Sequence, residues 1–189
     1  MPKLYTKVGD NGTTSLCDMK NVSKADWVFK VLGDFDELSA QIGLLCVFLN
    51  KNENGERVKH LRKIQSKLLD LGSNFATMYN RDRIVHISGE DVKELENQID
   101  YFDSQSPKLT EFILPGAGES DSVAHICRAV CRRAERNMWT LTEIEDNTPV
   151  EKEAFHYVNR LSDYFFALAR FLVYSTGLKE ITRSESKRD

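Results

Sequence analysis

Five stretches of this chain carry apolar residues every three to four positions, the repeat that lines one face of an α-helix. Leu38, Ile42, Leu45 and Leu49 form the first stripe, in a helical pattern that begins at Asp34. Val58, Leu61, Ile64, Leu68, Leu71 and Phe75 form the second. Ser88 with Asp91 is a capping-box variant that opens the third helix, which bears Val92, Leu95, Ile99 and Phe102. Ser120 or Asp121 is read as the cap of the fourth, with Val123, Cys127, Val130, Ala134, Met138 and Leu141. The fifth runs from about Val150 to Thr176 on Phe155, Val158, Leu161, Phe165, Leu168 and Leu172. Gly177 is its natural stop. Residues 50–55, 81–86 and 145–149 read as connections. Residues 104–119 hold two prolines and two glycines and cannot be one helix; Phe112–Leu114 is a short apolar insert there. No stretch reads as a convincing strand, and no internal repeat or low-complexity tract is visible. The expected fold is all-α: a five-helix antiparallel bundle over residues 26–177, between a polar arm (1–25) and a polar, mobile tail (178–189).

Composition supports long helices and excludes several classes of function. Only ten glycines and four prolines punctuate 189 residues, and much of the glycine sits at 9–12 and 116–118. The length suits one domain with a sizeable core. A net charge of −3 argues against a general nucleic-acid binder, which needs a broad basic surface. No apolar run reaches the ~18 residues that cross a membrane. The four cysteines (Cys17, Cys46, Cys127, Cys131) form no CxxC pair, and nothing resembles a secretory signal, so reduced thiols are expected. Cys127 and Cys131 share a helical face, as half of a metal site or as buried core residues; with no second ligand pair nearby, core is the simpler reading. His60, His86, His125 and His156 share no metal-ligand spacing and are assigned solvent-facing or structural roles.

Three segments do not suit a bland bundle. "YTKVGDNGTTSL" (Tyr5–Leu16) offers flexible backbone N–H groups, hydroxyls and Lys7, the donors a polyphosphate wants, yet it contains no Walker A motif. It is either a loose tail or a phosphate-holding loop. "RAVCRRAER" places Arg128, Arg132 and Arg136 on one helix face, with Glu135 beside them. Like charges at this spacing repel, so the row is either solvated or compensated by an anion, to which the guanidinium fork is suited. Asn159 and Asp163 lie one turn apart at the edge of an aromatic stripe and need partners, from neighbouring helices or from a ligand. Asp36 and Glu37 near the first helix start are candidate carboxylates for the arginines. An Asp36–arginine bridge, within or between subunits, is expected.

These segments, with "GDFDELSAQIG" opening the first helix and "FILPGAG" ahead of the arginine helix, together resemble the PduO-type ATP:cob(I)alamin adenosyltransferases over about residues 3–174. The resemblance implies a ferritin-like, cobalamin-adenosyltransferase-like five-helix bundle that assembles as a homotrimer. It implies transfer of the 5′-deoxyadenosyl group of ATP to the cobalt of reduced cobalamin, with triphosphate released. ATP, with Mg²⁺ bound through its phosphates rather than by the protein, would lie between subunits. Matched by position, Thr6, Lys7, Gly9, Thr14, Ser15 and Lys24 would contact ATP from the arm. Arg132, Glu135, Arg136 and Asn159 would contact it from the other side. Asp36 and Arg128 match the pair that bridges subunits beside the site. Phe112 matches the aromatic that closes the lower face of the corrin, and Asp163 with Phe166 matches the region facing cobalamin. A cobalamin reductase and an adenosylcobalamin-dependent enzyme are the further partners implied. The compartment implied is the cytoplasm, or the mitochondrial matrix for a processed form. The alternative is a non-catalytic trimeric ATP- or corrinoid-binding protein for delivery or regulation; a bland third option is a structural helical protein with solvated arginines. The chain departs from the family pattern at Ala117, where a second glycine is usual, between Leu16 and Lys24, where a glycine pair is missing, and after Tyr174, where the tail has no aromatic.

Overall fold

A computed structural model describes residues 5, 7–50, 55–77, 85–145 and 150–187. The connections expected at 50–55, 81–86 and 145–149 lie largely outside the described residues. The helices are α1 (Trp27–Asn50), α2 (Gly55–Ala76), α3 (Gly89–Ser104), α4 (Glu119–Ile144) and α5 (Lys152–Ser175). None is long and apolar enough to cross a membrane, among the described residues.

The helices close into a ring. α1 packs on α2 and α4, α4 on α5, and α5 on α3. Surface ion pairs Lys63–Glu94 (3.2 Å) and Lys67–Asp91 (3.1 Å) complete the ring from α2 to α3. Such pairs contribute at most about 1 kcal/mol each, so apolar burial rather than charge holds the ring. α5 is the most enclosed element, buried on nearly every face from Leu161 to Val173. Its Tyr164 and Phe171 enclose Phe102 of α3, with ring centroids 5.8 and 5.0 Å away.

Two boundaries differ from the sequence expectation. α1 starts at Trp27, because Asp26 caps it through the Val28 N–H (3.0 Å) and Val28 and Val31 extend the buried stripe backwards. Gly33 and Asp34 interrupt the apolar pattern there without interrupting the helix. α4 is not capped by Ser120 or Asp121 as N-terminal residue: Gly118 takes that position, and the buried Asp121 carboxylate accepts from the N–H groups of Gly116 (3.3 Å), Ala117 (3.2 Å) and Gly118. Asp121 sits in the first helical turn, where a carboxylate also meets the positive end of the helix dipole. Ala117 is half-buried within this cradle; positive φ falls instead on Gly116 (+120°), where only glycine is unstrained.

Short strands are present where none was expected. β1 (Thr13–Thr14) pairs antiparallel with β2 (Val22–Ser23), and β3 (Ile113–Leu114) with β4 (Ile181–Thr182). Two-residue strands carry no alternation to detect in a sequence. β4 places the polar segment after Gly177, expected as a mobile tail, against the insert that contains Phe112. The turn that allows this is a Schellman motif: Gly177 (φ +74°) donates to the Tyr174 carbonyl (3.1 Å) and Leu178 to that of Val173 (3.0 Å).

Candidate functional site

The arm forms a small hairpin. Lys7 to Asp10 make a turn, with Lys7 itself at φ +62°, and Gly12 (φ +80°) accepts from the Lys24 N–H at 2.9 Å. Lys24 lies across Gly9: a side chain at Gly9 would come within 3.1 Å of the Lys24 ammonium. The Cys17 N–H donates to the carbonyl of Ala76, last residue of α2 (2.9 Å), and half-buried Leu16 packs against the core. Of the arm residues expected to meet a polyphosphate, Lys7, Gly9, Thr14, Ser15 and Lys24 therefore share one compact loop, with Lys7, Ser15 and Lys24 exposed. Thr6 lies outside the described residues.

On α4 the arginines divide. Arg133 turns toward α1, where Nε donates to Asp34 Oδ1 (2.8 Å) and the guanidinium bridges to Glu37. Asn137 donates to the other Asp34 oxygen (2.7 Å), so this buried carboxylate is fully engaged. The hydrogen bond that Arg133 donates to Asp34, then the charges of Asp34 and Glu37, raise the Arg133 pKa above its ordinary value. Arg128, Arg132 and Arg136 form no ion pair with an acid among the described residues. Arg136 donates to the Arg132 carbonyl (2.8 Å), and the buried Arg128 Nε has no hydrogen-bond partner. Glu135 accepts from Asn159 of α5 (2.8 Å), which ties the row to the next helix.

The expected bridge from Asp36 to an arginine does not form among the described residues. Asp36 is exposed and sits beside an apolar cavity of about 290 Å³ lined by Leu32, Phe35, Leu69 and Gly72. Its neighbours Asp34 and Glu37 take Arg133 instead. Asn159 and Asp163, at the edge of the aromatic stripe, are both exposed. Their partners are Glu135 and Arg160, the latter donating to Asp163 at 3.0 Å and to Glu96 at 3.0 Å.

Phe112 is 78% exposed, at the tip of the insert leading into β3. Half-buried Phe166 lies against buried His125, ring centroids 6.0 Å apart. His125 Nδ1 has no partner, and burial, then the nearby Arg128 charge, lowers its pKa. Asp163 and Phe166 line a cavity of about 170 Å³ together with Asp103, Ser106 and Arg170. Three cysteines are buried, with Cys127 pushed up to about 12 by burial, so these thiols are inert; Cys17 is exposed.

Comparison with known proteins decides among the readings this geometry leaves. The family model described as cobalamin adenosyltransferase matches residues 4–172. This chain belongs to the cobalamin adenosyltransferase family. Among its relatives, the human corrinoid adenosyltransferase MMAB is 42% identical over 187 residues, covering 95% of this chain and 72% of the relative. The Bacillus subtilis corrinoid adenosyltransferase is 36% identical over 185 residues, covering 97% and 93%. A solved structure of a PduO-type ATP:corrinoid adenosyltransferase variant from Lactobacillus reuteri, complexed with cobalamin and ATP, superimposes with a TM-score of 0.87 at 31% identity, over 95% of this chain and 98% of that one.

The family bundle holds two polar nodes that the sequence reading missed. The Asp34–Arg133–Asn137 node was hidden because Arg133 is one position round the helix from the row. The second is Arg170, 3% exposed within the apolar run "FALARFLVY". A cation enclosed by apolar neighbours demands a buried acid, and that signal was available.

Proposed function

We infer that this protein transfers the 5′-deoxyadenosyl group of ATP to the cobalt of reduced cobalamin. The observation that carries the reading is the row Arg128, Arg132 and Arg136, held on a defined face of α4 without acidic partners among the described residues, in a chain of this family. Co(I) is itself the nucleophile and needs no general base. Its electron pair forms the Co–C5′ bond while the C5′–O bond breaks and its electron pair leaves on triphosphate. The protein must hold C5′ in line with cobalt and neutralise the departing charge.

Lys7, Lys24 and the arm N–H groups, with Thr6, Thr14 and Ser15, would bind the triphosphate from one side. Arg132 and Arg136 would bind it from the other, with Glu135 and Asn159 on the nucleoside side. Mg²⁺ would enter on the phosphates of ATP. Phe112 would close the lower face of the corrin and keep an axial ligand off cobalt, which eases its reduction, while Asp163 and Phe166 face the macrocycle.

A homotrimer completes this site. In it, the arm hairpin of one subunit and the arginine row of another would supply the two halves. Asp36 lies about three turns from exposed Val47 on one face of α1, near the 72% exposed Leu69 of α2. An apolar face of this kind marks an interface. There Asp36 would meet Arg128 of a second copy. The chemistry requires a reductase to supply Co(I), a consumer of adenosylcobalamin, and a reducing compartment, cytoplasm or mitochondrial matrix.

The test is incubation with ATP, Mg²⁺ and chemically reduced cobalamin. The absorbance change of a new Co–C bond is expected. Absence of product at stoichiometric enzyme would overturn the reading.

A further inference from the structure

We propose that Arg170 is a positioning residue for the corrin face, acting through Phe112; this rests on the reading of Phe112 given above. The ring of Phe112 is 78% exposed and so has little packing to hold it. Its pose is set by its backbone, and that backbone is held by the C-terminal segment. The Arg183 N–H donates to the Phe112 carbonyl (2.9 Å), β4 pairs with β3 immediately after Phe112, and Ser184 bonds the Glu111 carboxylate through N–H (3.2 Å) and hydroxyl (3.0 Å).

The C-terminal segment is in turn fixed at one point. Glu180, directly before β4, accepts from Arg170 Nε (2.7 Å) and from the Tyr174 hydroxyl (2.8 Å). The same guanidinium donates to the Pro107 carbonyl (2.6 Å), near the start of the insert, and lies 3.6 Å from Asp103 at the end of α3. One side chain on the rigid core helix therefore secures both the entry to the Phe112 insert and the strand that pairs with it. The far end of the insert is fixed separately by Asp121. Arg170 also lines the small cavity with Asp163 and Phe166, so the anchor lies under the wall assigned to the corrin. Only a planar fork serves Glu180 and Pro107 together; a lysine ammonium on a flexible stem would not hold that geometry.

The experiment reads the lower axial ligand. Wild type and Arg170→Lys, with ATP, are loaded with Co(II) cobalamin, and EPR gives the fraction that has lost its axial ligand, alongside kcat and both KM values. Arg170→Lys should lower that fraction and kcat about 10- to 100-fold, with the KM for ATP and thermal protection by ATP unchanged. In a Phe112→Ala background it should add nothing further, because both changes act on one element. Glu111→Ala, which loosens the exposed end of the ribbon, should lower the fraction several-fold and carries the test if Arg170→Lys does not fold. A wild-type fraction in the variants, or an equal loss from Arg170→Lys in both backgrounds, overturns the proposal. If wild type itself forms no Co–C bond, the proposed function falls and takes this inference with it; a working wild type with unaffected variants refutes this inference alone.

Discussion

Arg132 and Arg133 are consecutive on α4, and their surroundings have opposite designs. Arg133 meets two carboxylates of its own chain, one of them buried and also held by Asn137. Arg132 is exposed, one turn from Arg128 and Arg136, with no acid partner among the described residues. The first arrangement spends its charge within the fold. The second keeps three charges on one face at a cost in mutual repulsion, which a multiply charged anion relieves. A step of about 100° around one helix separates the arginine paired within the fold from the row proposed to bind triphosphate.

The comparison breaks most easily at Arg132. Arg132→Ala should lower kcat/KM for adenosyl transfer by about 100- to 1,000-fold, in steady-state assays, while the melting temperature of the ligand-free protein stays within about 1 °C. A large thermal loss with activity intact would reverse the assignment. Arg133→Ala should do the opposite: a loss of about 1–3 kcal/mol in denaturant unfolding, since Asp34 keeps only Asn137 as partner, with kcat of the folded protein changed far less than by Arg132→Ala.

A smaller effect separates buried from exposed titrating groups. Burial lowers the pKa of His125, with Arg128 reinforcing it, and lowers that of His60, where Glu94 partly offsets the shift. A neutral histidine in the fold means that the unfolded chain binds the proton first. Stability present above the ordinary value of 6.5 is thus lost as pH falls below it, through the lowered folded pKa. Thermal melts should show this loss, and His125→Leu should flatten it; an unchanged slope would show that His125 is not the source. The smallest effect is chemical: iodoacetamide should label Cys17 alone in the native protein, by mass spectrometry, because the other three thiols are buried.

The helices were legible because each buries a long apolar stripe, and a stripe is a local property. The arginine row was legible for the same reason: spacing by four residues puts Arg128, Arg132 and Arg136 on one face of any helix. What the sequence hid depends on partners far along the chain. Arg133 drew no assignment of its own because its partner Asp34 is 99 residues away. The C-terminal segment looked mobile because two-residue strands have no period and Glu180 reads as an ordinary surface acid until Arg170 meets it. Asp36 was the acid expected to meet an arginine, yet Glu37, one turn from Asp34 on the same face of α1, takes Arg133 and Asp36 stays outward.

The Asp34–Arg133 contact also sets an order of events during synthesis. α1 and α2 leave the ribosome first and can pair as a hairpin of local contacts. The carboxylate of Asp34 then sits against the α4-facing side of that hairpin without its guanidinium, which lies 99 residues beyond Asp34 in the chain. A nascent α1–α2 hairpin is accordingly charged where the finished bundle is sealed, which disfavours dry association of one such hairpin with another before α4 docks.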